Sequence, residues 1–176
     1  MTTIELLKEE DIQEVSDLII RTTEKTLKHF IPNKAIENIR NSMNYNGVKN
    51  RAKFTHFYVI KEDEKIVAFG AIGPYWDSKT ESSLFTIFVD SLYQGKGYGR
   101  KIIETLENDE FFLRAKRIEV PASLYALPFY IHFGYRLKDD DYIIDNYHIA
   151  LKKEDKKKQP KNENQDSKQL IKTKDK

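Results

Sequence analysis

Ser83-Leu84-Phe85-Thr86-Ile87-Phe88-Val89-Asp90 and, after Ser91-Leu92-Tyr93, Gln94-Gly95-Lys96-Gly97-Tyr98-Gly99-Arg100 decide how the rest of the chain is read. The first run is β-branched and aromatic between polar ends, the pattern of a buried strand. The second is a glycine-rich turn. Directly after it Ile102, Ile103 and Leu106 share one helical face, with Lys101, Glu104 and Glu107 on the others. Strand, glycine turn and helix together make a cradle for phosphate. The N–H groups of the turn and first helical turn have no helical partner, and the helix dipole adds positive charge there. Glycines let the backbone approach an anion closely, and Lys96 and Arg100 add charge.

The spacing narrows the anion. A Walker loop needs four residues between its first Gly and a Gly-Lys-Ser/Thr, and a dinucleotide loop needs Gly-x-Gly-x-x-Gly. The chain has neither, only Gly95-x-Gly97-x-Gly99. What remains is Gln-x-x-Gly-x-Gly, with Gln94, Gly97 and Gly99. This resembles the coenzyme A pyrophosphate loop, Arg/Gln-x-x-Gly-x-Gly/Ala, of the GCN5-related N-acetyltransferase (GNAT) superfamily. Downstream, Arg117-Ile118-Glu119-Val120-Pro121-Ala122-Ser123, Ala126-Leu127-Pro128-Phe129-Tyr130 and Phe133-Gly134-Tyr135 resemble the next block of that family in order and spacing. That block is a strand, a small polar residue, a short helix carrying Ala-x-x-Phe-Tyr, and Gly-Phe/Tyr. The likeness runs from about Val59 to Leu151.

The resemblance implies an α/β fold: a mixed, mostly antiparallel sheet of six to seven strands, splayed between the fourth and fifth, with about four flanking helices. The chain suits a single domain over residues 1–152, followed by a charged tail from 153 to 176. Lys, Asp, Glu, Asn and Gln dominate that tail, a composition that does not offset its ordering entropy.

Composition sets the outer bounds. Hydrophobic residues make up 39% of the 176, enough for a core, and the net charge of +2 makes no case for nucleic acid. The absence of cysteine excludes disulfides, a thiolate nucleophile, an acyl-cysteine intermediate and cysteine zinc sites. The start, Met1-Thr2-Thr3-Ile4-Glu5, lacks signal-peptide character and no apolar run reaches membrane length, so a cytoplasmic protein without membrane partners is expected.

In chain order, residues 4–7 read as a first strand. A helix from about residue 9 carries Ile12, Val15, Leu18 and Ile19 inward, with Lys8 at the cap position where Ser, Thr or Asp is usual. A second helix from about residue 33 carries Ile36, Ile39 and Met43. Residues 57–60 and 66–72 form a hairpin across Lys61–Lys65. Pro121 is expected to stop the fifth strand at residue 120, because proline donates no ladder bond. A short helix over 124–132 ends at Gly134, and the last strands cover 135–138 and 144–151, joined through Asp139-Asp140-Asp141.

The chemistry implied by the resemblance is acetyl transfer from acetyl-coenzyme A to a primary amine of a small molecule or peptide. The amine attacks the thioester directly, so no enzyme nucleophile is needed. Gln94, Gly95, Lys96, Gly97, Tyr98, Gly99 and Arg100 would hold the pyrophosphate, and the main chain of Ile87, Phe88 and Val89 the pantetheine arm. An N–H of Phe88 or a neighbour would face the developing oxyanion. Tyr130 matches the general acid for the leaving thiolate, or else packs beside Phe129. Ser123 bonds the pantetheine, caps the following helix, or does both. Glu81 is the candidate base, with a water relay as the alternative and Asp77 as a lesser one. Phe30 and Tyr45 stand where the family places one wall of the acceptor cleft, with ordinary packing as the reading that competes with substrate contact; Tyr75 and Trp76 stand near its acceptor, where they line a pocket or cap the sheet edge. His29, His56, His132 and His148 show no metal-site spacing. Dimers are common in this family, and one is expected here on that ground alone.

Overall fold

A computed structural model describes residues 1–138, 144–145 and 148–154. The segment Asp139-Asp140-Asp141 and the tail from residue 155 onward lie outside the described residues. The chain runs β1 (Thr2–Leu6), α1 (Ile12–Lys25), α2 (Asn33–Ser42), α3 (Tyr45–Ala52), β2 (His56–Glu62), β3 (Lys65–Pro74) and β4 (Glu81–Val89). It continues with α4 (Tyr98–Glu107), α5 (Glu110–Leu113), β5 (Arg117–Ser123), α6 (Leu127–His132), β6 (Arg136–Leu137), β7 (Ile144–Asp145) and β8 (His148–Glu154). Short 3-10 turns, Glu9–Asp11 and Leu27–His29, flank α1. The sheet order is β1-β2-β3-β4-β5-β8-β6, with β7 paired on β8, and only β4 and β5 are parallel.

Both faces of the sheet are covered, so β3 is a continuous buried run from Ile66 to Gly73 rather than an alternating one. On β2 the alternation remains visible. Phe57 and Val59 join Ile12, Val15, Leu18 and Ile19 of α1 in one core layer. Ile60 joins Ile102, Ile103 and Leu106 of α4, together with Leu127 and Tyr130 of α6, in the other. Each such aliphatic side chain contributes about 1.5–3 kcal/mol by burial. At Lys8 the missing cap side chain is replaced from inside: the Lys8 N–H donates to Asp11 Oδ2 at 3.1 Å.

Three features depart from the expectations. Between α2 and β2 lies a further helix, α3, whose start is capped by Asn44 Oδ1 accepting from the Gly47 N–H at 3.0 Å. β5 does not stop at 120. Pro121 sits inside it opposite Ala150 of β8, in the stretch where the β4 ladder has already ended, so its missing N–H is lost to no β4 partner. Residues 144–145 pair antiparallel with 148–149, so the run 144–151 is two strands.

Two irregularities open the sheet. β4 and β5 pair only at Glu81↔Arg117, Ser82↔Ile118 and Ser83↔Glu119, with the Ser83 hydroxyl donating to the Glu119 carbonyl at 2.9 Å as the last link. Immediately beyond, β4 bulges. Phe69 pairs with Phe88 and Ala71 with Phe85, so Gly70 alone faces Thr86 and Ile87, and Thr86 takes φ +54. A Cβ at Gly70 would stand 3.0–3.1 Å from Leu106, Ile102 and Ile87, so glycine is what lets the bulge seat against α4.

Candidate active site

The splay holds a cavity of about 680 Å³. Residues 84–89 of β4 form one side, Pro121, Ala122 and Ser123 of β5 the other, and α6 closes it through Ala126, Phe129 and Tyr130. Gly95 and Gly99 stand at one end; Ile39, Met43, Phe85 and Arg51 also line it.

At the loop end the chain turns through Gly95 (φ +76) and Gly97 (φ +87), and Gly97 is the N-cap of α4. A Cβ at either would meet nothing within 4 Å, so both are required for backbone conformation, not for space. Gly99 is the opposite case: its Cβ would stand 2.9 Å from the Phe129 ring. The first bond back into the helix is from Lys101 N–H to the Gly97 carbonyl. Among the described residues the N–H groups from Gly95 to Arg100 have no partner, which leaves a row of donors at the positive end of a ten-residue helix. Lys96 lies over the Tyr93 ring and Arg100 over Phe133, both at the loop's edge. The Tyr98 side chain turns away and donates to Glu62, leaving that residue only its main chain for an anion.

The main chain of β4 alternates past the bulge. Asp90 N–H donates to the Val67 carbonyl at 2.9 Å, so 67/90 is a hydrogen-bonded pair, 68/89 is not, and 69/88 is again. Phe88 therefore spends its N–H and carbonyl on β3, and those of Ile87 and Val89 face the opening. The Gln94 side-chain amide confirms the direction by donating to the Val89 carbonyl at 3.2 Å. This moves the candidate oxyanion donor from Phe88 to its neighbours. The Phe88 ring stacks on Phe69 at 5.5 Å, in the core layer of α1.

Tyr130 borders the cavity from α6, and burial pushes its hydroxyl well above the ordinary tyrosine range. Its ring is held edge-on between Phe129 at 5.2 Å and Tyr135 at 5.6 Å. A Schellman turn locks the end of the helix: Tyr135 N–H reaches the Tyr130 carbonyl at 3.0 Å, Gly134 N–H reaches that of Ile131, and Gly134 has φ +87. Burial is the one influence that shifts the Tyr130 hydroxyl; no hydrogen bond or charge among the described residues acts with it. Ser123 Oγ accepts from Ala126 N–H at 3.3 Å while lining the cavity, so both of its expected roles remain compatible.

Other expected residues are placed elsewhere. Glu81 is at the closed end of the β4/β5 pair, bonded to Arg117 Nε at 3.0 Å. Tyr75 lies near Arg117 and Lys138, and Trp76 is 86% exposed. The hairpin loop that carries them and Asp77 projects beyond the paired end of the two strands, away from the splay. Phe30 packs against Tyr125 with ring centroids 5.3 Å apart and the rings tilted by 57°, and Tyr45 approaches Glu9. His56 supports α5 through Asp109, Nδ1 to Oδ2 at 2.7 Å. Sequence reasoning missed Arg51, the one charged side chain lining the cavity among the described residues. The missing signal was α3 itself, since Tyr45-Asn46-Gly47 reads as a turn.

The model of the acetyltransferase (GNAT) domain matches residues 53–137, from just after α3 to the end of β6. Residues 53–137 are a domain of the GNAT superfamily. Among solved structures, the PaiA N-acetyltransferase of Thermoplasma acidophilum in complex with coenzyme A superposes with a TM-score of 0.73 at 14% identity. That match covers 88% of this chain and 99% of the other. A GCN5-related N-acetyltransferase of Rhodopseudomonas palustris gives 0.71 at 16% identity, covering 88% and 96%. N-acetylglutamate synthase of Neisseria gonorrhoeae, complexed with coenzyme A and N-acetyl-glutamate, gives 0.61 at 12% identity, covering 88% of this chain and 35% of that one. No curated protein matches the chain in sequence. Among the described residues of this GNAT protein, no helix is long and apolar enough to cross a membrane.

Proposed function

We propose that the protein is an N-acetyltransferase that moves the acetyl group of acetyl-coenzyme A to a primary amine by direct attack within a ternary complex. The observation that carries this reading is the row of unpartnered N–H groups from Gly95 to Arg100 at one end of a splayed-strand cavity whose wall includes Tyr130. GNAT relatives crystallised with coenzyme A support the choice of donor.

Acetyl-coenzyme A supplies an acyl group already activated as a thioester. The main chain of Gly95–Arg100 grips its diphosphate, and the outward N–H and carbonyl groups of Ile87 and Val89 pair with the pantetheine arm as an added strand would. One of those N–H groups donates to the carbonyl oxygen as negative charge develops there, typically 10²–10³-fold in rate per donor. As the C–N bond forms and the C–S bond breaks, the Tyr130 hydroxyl gives its proton to the departing sulfur. A tyrosine hydroxyl is already protonated at neutral pH and so can serve as the donor; burial, which raises Tyr130 further, makes it a weaker acid rather than a better one. No carboxylate lines the cavity among the described residues, and Glu81 is locked to Arg117 at the far end. The amine therefore loses its proton to water rather than to a fixed side-chain base.

Incubation with acetyl-coenzyme A and a panel of amines, followed by free-thiol detection, tests the reading. Turnover on at least one amine is expected. Tight coenzyme A binding without turnover on any amine would instead make the protein an acyl-coenzyme A sensor.

A further inference from the structure

Arg51 is an anomaly in a cavity that is otherwise apolar or neutral. It projects from α3 and its guanidinium lies over the Phe85 ring, 5.5 Å from the centroid. Its Nε is fully enclosed and has no hydrogen-bond partner, and no carboxylate is paired with it among the described residues. Burial alone draws its pKa below the ordinary arginine value, with no neighbouring charge to offset it. A partly buried guanidinium with no carboxylate partner and an enclosed, unbonded Nε is costly to keep, and its planar fork is shaped for an oxyanion held by two bonds.

The diphosphate cannot be that anion's source. Arg51 stands by Phe85, on the far side of the Thr86 bulge from the phosphate loop, and Val89 lies four residue steps along the strand from Phe85, roughly 13 Å. Lys96 and Arg100 already stand beside the loop. The anion must enter with the other substrate. Around Arg51 the lining is Ile39, Met43 and Phe85, with Thr22 and Thr26 of the α1 end as neutral polar groups. Nothing there would hold a polycation, whose charges need carboxylates.

We propose that Arg51 anchors a carboxylate on the acceptor, so that the amine acetylated belongs to an α-amino acid with an apolar side chain. The amine is then held toward the thioester by the acid group behind it. This inference rests on the acetyltransferase reading above and adds the acceptor's chemical class to it.

The test uses matched acceptors at saturating acetyl-coenzyme A: leucine, methionine and phenylalanine, each against its primary amide and its decarboxylated amine. The amides have the less basic amine and are intrinsically readier to react at neutral pH, so a preference for the acids must come from the site. The acids are expected to exceed the amides by ~10- to 100-fold in kcat/KM, the range for a charge-assisted pair. In Arg51→Met that preference should vanish while coenzyme A affinity holds, and the melting temperature should hold or rise because an unpaired cation has been removed. Arg51→Lys should restore part of the preference. Amides used as well as acids, or an Arg51→Met enzyme that still prefers acids, would overturn the proposal. If no amine turns over, calorimetry with N-acetylleucine and its amide, with and without coenzyme A, separates the two readings. Carboxylate-selective binding lost in Arg51→Met upholds the anchor although the enzyme reading has failed, and equal or absent binding of both compounds removes the anchor.

Discussion

Tyr125 donates its hydroxyl to Oε1 of Gln94 at 3.1 Å, joining the loop before α6 to the first residue of the phosphate loop. Gln94 uses its other end as well, its amide donating to the Val89 carbonyl at 3.2 Å. One side chain thus ties the loop to both arms of the splay, while Phe30 packs at a tilt against Tyr125 from the α1–α2 connection. Replacing Gln94 with Ala removes two exposed hydrogen bonds, each worth about 0.5–1.5 kcal/mol net. The expected result is coenzyme A binding weakened by ~10-fold or more, with the melting temperature lowered by roughly 2–4 °C for each kcal/mol those bonds contribute. Calorimetry with coenzyme A decides it, and an unaltered Kd would mean that the loop keeps its shape without this tether.

The three loop glycines should fail in different ways. Gly97→Val forces a β-branched residue to φ +87, a strain of about 1–3 kcal/mol, in a place where the side chain itself has room. The loop should relax away from that geometry and coenzyme A binding should fall at least ~100-fold, with little change in melting temperature. Gly99→Ala has no positive φ to satisfy but drives a methyl to 2.9 Å from Phe129. It should lower the melting temperature by shifting α6, and thereby Tyr130. Thermal melts and calorimetry on both variants separate the two mechanisms; identical profiles would refute the distinction.

The difference between those glycines marks how far the sequence could be read. The strand, the turn through Gly95 and Gly97 and the face of Ile102, Ile103 and Leu106 are local patterns, and they were legible. The cavity's other end was not. Thr86 is a non-glycine residue at positive φ, and no propensity announces the bulge that turns Phe88 toward β3 and Ile87 and Val89 outward. Glu81 stands at the entry of the central strand, as expected, but which end of β4 opens depends on a parallel register with β5 across more than thirty intervening residues. Pro121 reads as a strand stop only while its neighbour on the β4 side is assumed to be paired.

Tyr130→Phe keeps the ring between Phe129 and Tyr135 and removes only the hydroxyl. A fall in kcat of ~10²-fold or more is expected if it is the general acid, with coenzyme A affinity and melting temperature unchanged. A variant with wild-type kcat would reduce Tyr130 to packing.

Three tyrosines make alkaline stability a further test. Burial, followed by the hydrogen bond to Asp109, pushes Tyr58 up to about 12, and burial raises Tyr130 and Tyr135 as well. The unfolded chain releases these protons near pH 10, while the folded protein retains them. Their contribution is therefore fully present below about pH 10 and is lost progressively as pH rises beyond it. Melting temperature should be flat from pH 8 to 9 and fall toward pH 11, with a shallower fall in Tyr58→Phe. An equal slope in that variant would show that Tyr58 titrates at its ordinary value.

Gly47 is the glycine whose loss should strike the acceptor end alone. A Cβ there would lie 1.8 Å from the Ser42 carbonyl oxygen, so Gly47→Ala forces apart the corner between α2 and α3. Overpacking of this kind costs about 1–3 kcal/mol, and roughly 2–4 °C of melting temperature per kcal/mol is expected at this size. The displaced helix carries Arg51 and packs Val48 into the core layer of α1, while the phosphate loop belongs to the layer of α4. Acceptor KM should therefore rise while coenzyme A affinity holds. Should coenzyme A binding collapse in step with acceptor use, the two ends of the cavity are mechanically one unit, and the division between a loop that grips the donor and a helix that selects the acceptor is wrong.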